Sequence, residues 1–251
     1  MIRCAFLGAL VALVACRTHV TSDQTVRIAA ASNIEKAFEE IGKAFTSKTG
    51  IRAEYAFQSS GMLERQIEEG APYFVFASAN EEFVDKAIAT GKCSAASKTP
   101  FARGRLVALS AKGTRPPKSL ADLADPVYSR IAIANPETAP YGAAARTALQ
   151  RSGIWDRVQD KLVIGDNIES AMQFVTTGNA TVGLVAQSLV SADAGGESVV
   201  VDPSLYDPLD EYLVTCGSGP ELERAKAFVA FLGSPDGREI ITRYGFAVPT
   251  R

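Results

Sequence analysis

Two serines stand where a short apolar run gives way to a helical pattern. Ser32 follows the run Val26–Ala31, and Ser60 follows the run Ile51–Phe57. The N-terminus of a helix presents backbone N–H groups without partners and about half a positive charge. Such a terminus binds small anions, and neither turn has Lys or Arg directly inside it. The two turns therefore predict a site that holds a small oxyanion with neutral donors.

Two later turns have the same strand-to-helix character. They lie at Pro140-Tyr141-Gly142 and at Asp166-Asn167-Ile168. Open α/β sheets bind ligands beyond the carboxyl ends of their strands. Turns from both halves of the chain could thus enclose one tetrahedral oxyanion. Its oxygens would need matching donors, because an unpaired charge in a dry cleft is costly.

Each of these turns also has an ordinary structural explanation. Ser32 begins the pattern S-x-x-E with Glu35, which is typical of a capping box. Asn167 has the residue type of an N-cap, and Pro140 that of a helix start. Ser60 has no capping-box partner three residues on, so we expect its hydroxyl to be freer for a ligand than that of Ser32.

Strands and helices alternate along the chain, which predicts an α/β fold with mainly parallel sheets covered by helices on both faces. Apolar residues recur at helical spacing after Ser32, and Gly70 and Gly91 end the next two helical patterns. Two βα units of similar size, with a break near residues 100–105, indicate two lobes.

The first residues predict export. Residues 1–15 have a basic start and a short apolar core, as a signal peptide does. The run Leu13-Val14-Ala15-Cys16 resembles the lipobox of bacterial lipoproteins, which implies cleavage before Cys16 and lipidation of its thiol. Residues 16–25 would then form a tether, although an ordinary signal peptide is the alternative. The predicted location is the periplasm or the cell exterior, with the protein held to a membrane by its lipid.

Composition excludes several classes of function. The formal net charge is −2, and no basic patch for nucleic acid stands out. The one histidine, His19, lies in the predicted tether, which excludes a Ser-His-Asp triad and a His-ligated zinc site in the folded body. Cys93 and Cys216 are either a disulfide, which an exported protein can keep, or two buried thiols.

Several stretches of the chain match one known family when they are taken together. The stretches are Ala29-Ala30-Ala31-Ser32, the run FQSSGMLERQIEEGAP at 57–72, Phe76-Ala77-Ser78-Ala79, Asn135-Pro136-Glu137 with Pro140-Tyr141-Gly142, and Arg243-Tyr244-Gly245-Phe246. They resemble the molybdate-binding proteins of bacterial ABC transporters, and the likeness covers about residues 25–248.

The resemblance implies a two-lobed periplasmic-binding-protein fold of type II that closes on molybdate or tungstate. Residues 26–103 and 204–251 would form lobe I, and residues 104–203 lobe II. Ser32 and Ser60 would donate hydroxyl and N–H bonds, and Tyr141 and Ile168 backbone N–H bonds. The resemblance further implies a monomeric receptor without a cofactor, not an enzyme, that delivers its ligand to an ABC permease.

The chain departs from the family pattern at two positions. Ala186 stands where the family has a ligand-binding Tyr, so one hydroxyl donor is missing. Phe74 stands where the family usually has an Asp, which we expect to lie near the hinge. These departures leave open a receptor for sulfate, phosphate or an organic acid. An enzyme with Ser60 as nucleophile is the remaining alternative, but no adjacent base would activate it.

Overall fold

Strands and helices alternate along most of the chain. The computed structural model describes residues 24–190 and 196–249, so the predicted signal peptide, Cys16 and nearly all of the tether lie outside the described residues. The described residues form ten strands, which are β1 (Thr25–Ala31), β2 (Arg52–Gln58), β3 (Val75–Ser78), β4 (Thr99–Arg103), β5 (Leu106–Ser110), β6 (Ile131–Ala134), β7 (Leu162–Gly165), β8 (Val182–Ala186), β9 (Ser198–Val200) and β10 (Asp210–Thr215).

The same residues form eight α-helices and several short 3-10 turns. The helices are α1 (Glu35–Thr49), α2 (Ser60–Glu68), α3 (Glu81–Ala89), α4 (Pro140–Arg151), α5 (Trp155–Val158), α6 (Ile168–Thr176), α7 (Pro220–Leu232) and α8 (Pro235–Arg243). Two of the 3-10 turns, Ser32–Ile34 and Gln187–Leu189, lie between the lobes and matter for the site.

The strands form two five-stranded sheets, one in each lobe. The first has the order β2-β1-β3-β10-β4 and the second β7-β6-β8-β5-β9. In the first sheet β1 pairs in parallel with β2 and β3, whereas β10 is antiparallel to β3 and β4. In the second sheet β6 pairs in parallel with β7 and β8, whereas β5 is antiparallel to β8 and β9. The predicted two-lobed α/β architecture is confirmed.

Local sequence explains the helix that leads away from the first serine. Ala37, Phe38, Ile41 and Phe45 repeat at helical spacing and are buried, which packs α1 against the first sheet. Gly50 ends the helix in the left-handed region, at φ 72°, where a residue without Cβ pays no steric penalty.

The segment predicted as a break between lobes is in part a strand. Residues Thr99–Arg103 form β4, which pairs with β10. A short strand at a sheet edge depends on its partner more than on its own sequence, and that partner is distant in sequence. Gly104 then crosses to the second lobe, and its N–H donates to the carbonyl of Leu209 on the returning segment at 2.9 Å. The lobe boundaries at 103/104 and 203/204 stay a prediction.

Cys93 and Cys216 form a disulfide in the structure, with an S–S distance of 2.04 Å. The bridge ties the loop after α3 to the end of β10. Both cysteines belong to the buried apolar cluster on one side of the first sheet. The bridge spans 123 residues, a stretch that contains the whole second sheet.

Candidate functional site

Ser32 begins a 3-10 turn directly after β1. Its side chain is buried, and its Oγ has no hydrogen-bond partner within the described residues. The expected capping box does not form, because α1 starts at Glu35 and its N-cap position is Ile34. The 3-10 turn thus moves Ser32 too far from the helix to cap it. Its hydroxyl remains available to a ligand.

A serine pair begins α2. Ser59 occupies the N-cap position, yet its side chain makes no cap bond and its buried Oγ has no partner among the described residues. Ser60 Oγ accepts a hydrogen bond from the backbone N–H of Ala79 at 3.1 Å. A hydroxyl that accepts still has its own hydrogen to donate. The expectation that Ser60 has a freer hydroxyl than Ser32 is nevertheless wrong, because Ser60 Oγ has a protein partner whereas Ser32 Oγ has none among the described residues. Sequence reasoning singled out Ser60 and missed Ser59, although Ser directly before a helix was a usable signal.

Two predicted residues of the second lobe lie in the first turns of their helices. Tyr141 follows Pro140 in α4, and Ile168 is the first residue of α6. Both are buried. Backbone N–H groups in a first helical turn have no partner within the helix. Asn167 acts as the N-cap of α6, since its Oδ1 accepts from the N–H of Ser170 at 2.9 Å.

The lobes touch along a seam that these turns line. At one end of the seam, the N–H of Gly61 donates to the carbonyl of Thr138 at 2.9 Å. At the other end, Ser188 Oγ donates to the carbonyl of Asn33 at 2.7 Å, and Lys36 Nζ donates to a carbonyl of the Gln187–Leu189 turn at 2.6 Å. Helix α6 also packs against the Ser32–Ile34 turn. The four predicted turns therefore meet at one seam.

A buried polar cluster lies where the seam meets the crossing segments. It consists of Asn33, Tyr141 and Glu211, which are all almost fully buried. Asn33 Nδ2 donates to Glu211 Oε1 at 2.7 Å. Asn33 Oδ1, Glu211 Oε2 and the Tyr141 hydroxyl have no partners among the described residues. Gly104 makes room for the cluster, since a Cβ there would overlap the Tyr141 hydroxyl and lie 3.5 Å from Glu211 Oε1.

Burial controls the charge of this cluster. It raises the pKa of Glu211 well above its ordinary value, and the hydrogen bond from Asn33 offsets only part of that rise. Burial first, and then the neighbouring Glu211, also raise the pKa of the Tyr141 hydroxyl, while the side chain of Asn33 lowers it in part. Sequence reasoning missed Asn33 and Glu211. Asn33 is adjacent to Ser32, a predicted site residue, whereas nothing in the sequence around Glu211 indicates that it belongs to a site.

Like charges meet across the lobes near the start of α1. Burial first, and then the carboxylates of Glu169 and Glu39, raise the pKa of Glu35, while Lys36 lowers it in part. Glu169 belongs to the first turn of α6 in the other lobe. Closing the lobes therefore brings the carboxylates of Glu35 and Glu169 together, and their repulsion opposes closure.

Ala186 and Phe74, the two positions that depart from the family pattern, lie at opposite ends of their strands. Ala186 is buried at the end of β8, directly before the Gln187–Leu189 turn. Phe74 precedes β3, at the end of that strand opposite Ser78, and its ring lies 5.8 Å from the Arg27 guanidinium. The expectation that Phe74 lies near the hinge is wrong. Parallel strands present only their carboxyl ends to the seam.

Neither a metal-ligand cluster nor a membrane-spanning helix occurs among the described residues. Within residues 24–190 and 196–249, no group of three or more His, Cys, Asp or Glu side chains is placed to hold a metal ion. None of the helices in that part of the chain combines the length and apolarity needed to cross a bilayer.

Comparisons with known proteins cover nearly the same range as the fold. Residues 26–247 match the family described as bacterial extracellular solute-binding protein. The molybdate-binding protein ModA of Rhodobacter capsulatus is 41% identical over 218 residues, which are 87% of this chain and 86% of that protein. A putative ABC transporter substrate-binding lipoprotein, YvgL of Bacillus subtilis, is 29% identical over 96% of this chain and 95% of its own length.

A solved structure shows the same architecture. The periplasmic molybdate-binding protein of Azotobacter vinelandii superposes with a TM-score of 0.83 at 29% identity, over 90% of this chain and all of that chain. The likeness therefore includes both lobes and the seam between them.

Proposed function

The chain belongs to the bacterial extracellular solute-binding protein family, and on that premise we propose that it captures molybdate or tungstate between its lobes for an ABC transporter. The carrying observation is a set of buried hydroxyls without acceptors, on Ser32, Ser59 and Tyr141, at helix starts along the seam. Buried hydroxyls normally find acceptors. An oxyanion in the seam would supply them. The relatives named for molybdate binding support this ligand class.

The proposed site holds its ligand with neutral donors. Ser32 and Ser60 donate hydroxyl and N–H hydrogens from the first lobe, and Tyr141 and Ile168 donate backbone N–H groups from the second. Hydrogen bonds from neutral donors to an ion are stronger than those between neutral groups. The receptor needs no cation or cofactor for this, and its role is capture and release rather than catalysis.

The proposed setting is the outer face of the membrane. The lipobox-like run before Cys16 supports a lipid anchor, and the relative named as a lipoprotein supports it independently. The receptor would then act as a monomer and deliver its oxyanion to a permease from the periplasm or the cell exterior.

A second ligand is favoured by one observation. Ala186 provides no hydroxyl where the family has a ligand-binding Tyr, so the seam has one fewer donor than the family site. Sulfate and phosphate are smaller than molybdate and an organic acid is larger, so each would suit a seam whose donors differ from those of the family site.

Thermal unfolding with a panel of anions tests the proposal. Molybdate, tungstate, sulfate and phosphate are each added to the exported chain. At about 100 times its dissociation constant, a bound ligand stabilises the fold by about 2.7 kcal/mol. We expect this for molybdate or tungstate, and much less for the double variant Ser32→Ala/Ser59→Ala. The exposed Ser47 on α1 offers a matched control, since Ser47→Ala should respond as the unmodified protein does. A response to sulfate or phosphate alone would select the second ligand class.

A further inference from the structure

The polar cluster of Asn33, Tyr141 and Glu211 contains a carboxyl group that the proposed ligand set does not use. Glu211 lies in β10 of the first lobe, and its side chain has 0% exposure. A buried carboxylate beside a site for a dianion would oppose binding. Its protonation state therefore bears directly on the proposed function, on which this inference rests.

We propose that Glu211 is a positioning residue that stays uncharged in the closed protein and holds the side-chain amide of Asn33. Asn33 belongs to the Ser32–Ile34 turn, which packs against α6 of the other lobe. An uncharged carboxyl fixes this turn without placing a negative charge beside the oxyanion.

A count of donors and acceptors supports the uncharged form. The three side chains leave three buried oxygens without partners, namely Asn33 Oδ1, Tyr141 Oη and Glu211 Oε2. With Glu211 ionised, its Oε2 is a buried anionic acceptor without a donor, which is costly. With Glu211 protonated, Oε2 becomes a donor and the buried negative charge is removed.

The surroundings also favour the uncharged form. Glu211 is faced by the neutral Asn33 of the Ser32–Ile34 turn and by Tyr141 of α4. On its own strand, the Asp210 carboxylate raises the pKa of Glu211 further. The nearby Arg103 does not compensate, because it forms an exposed pair with Asp210, with Nη2 and Oδ2 2.9 Å apart. A buried carboxylate without a cation takes up a proton instead of staying charged.

The geometry is specific to the closed arrangement of the lobes. Tyr141 comes from the second lobe, whereas Asn33 and Glu211 come from the first. Tyr206, whose hydroxyl accepts from the N–H of Leu106 at 3.2 Å, also raises the pKa of Tyr141. Opening the lobes would take Tyr141 away from the cluster and admit water to Glu211. The burial that keeps Glu211 uncharged therefore belongs to the closed protein.

Infrared difference spectroscopy and calorimetry test the proposal together. The spectrum of the unmodified protein minus that of Glu211→Gln should contain the carbonyl stretch of a protonated carboxylic acid at neutral pH. Because Gln presents the same acceptor and a donor, Glu211→Gln should bind molybdate or tungstate within about threefold of the unmodified protein. Glu211→Leu keeps neither group and should bind at least about tenfold more weakly.

Glu64→Gln is the matched control, since Glu64 is another buried carboxyl whose pKa burial raises but which lies outside the cluster. It should leave affinity and the cluster's infrared band unchanged. A carboxylate band from Glu211, or binding by Glu211→Gln that is at least about tenfold tighter than normal, would overturn the inference and leave the proposed function standing. Absence of binding by the unmodified protein would instead refute the proposed function, while the infrared band would still report the state of Glu211.

Discussion

Replacement of Ser60 and of Ser32 by Ala should separate ligand binding from fold stability. Both hydroxyls have a hydrogen free for a ligand, but only Ser60 Oγ also accepts a hydrogen bond from the protein, from the N–H of Ala79 at 3.1 Å. Ser60→Ala therefore removes a donor to the oxyanion and also leaves a buried N–H without a partner. Ser32→Ala removes only the donor.

The magnitudes follow from the bonds lost. A hydrogen bond to a charged group contributes about 1.5–3 kcal/mol, so each variant should bind about 10- to 150-fold more weakly. The unpaired N–H of Ala79 costs about 1–3 kcal/mol of folding stability. Since 1 kcal/mol shifts the melting temperature of a chain of this size by about 2–4 °C, Ser60→Ala should melt several degrees lower without ligand. Ser32→Ala should melt close to the unmodified protein.

Calorimetric titration with molybdate and thermal melts without ligand provide the two readouts, with Ser47→Ala as the control. An equal loss of ligand-free stability in Ser32→Ala and Ser60→Ala would contradict the role assigned to the Ser60 Oγ. Unchanged binding of every anion in the panel by both variants would contradict the role of both hydroxyls as ligand donors.

Three further predictions concern closure and stability. Gly61→Ala should weaken oxyanion binding, because its Cβ would lie 2.9 Å from a Phe ring and 3.1 Å from the carbonyl that Gly61 contacts across the seam; overpacking costs about 1–3 kcal/mol, and an unchanged dissociation constant would contradict it. Glu169→Gln should tighten binding up to about fivefold at low salt by removing the repulsion of Glu35, which raises that residue's pKa. At pH values below the ordinary pKa of Glu35 the group is protonated in the open and the closed form, so its repulsion by Glu169 does not oppose closure. Closure becomes less favourable as the pH rises and Glu35 ionises. The gain in affinity from Glu169→Gln should therefore shrink at low pH, and also in high salt, which screens the repulsion. Replacing Cys93 and Cys216 by Ser should lower the free energy of unfolding by about 5 kcal/mol in the chain-entropy model, as denaturant melts would measure, with affinity preserved because the bridge lies away from the seam.

Much of the fold could be predicted from short segments of the sequence. The spacing of apolar residues in α1 and the small residues around Ser32 and Ser60 are properties of short segments. Such segments meet the same steric and hydrogen-bonding rules wherever the chain later goes. That is why the strand-to-helix turns could be predicted as a group from sequence.

Features that depend on contacts between distant segments could not be predicted from such local patterns. The capping box at Ser32 satisfied its sequence pattern but does not form, because a 3-10 turn intervenes before α1. Strand β4 exists because β10 returns from the second lobe to pair with it. Edge strands depend on partners, and neither segment's own residues specify that pairing.

The candidate site likewise has some features that residue type sets and others that tertiary packing sets. Residue type alone specified the neutral, hydroxyl-bearing turns, because it decides what a helix start can donate. Tertiary structure decided which hydroxyls are left without acceptors, and it brought Glu211 to Asn33 across 178 residues of sequence. Burial and partnership arise only when distant elements pack. The charge of Glu211, and with it the character of the anion site, follows from that packing.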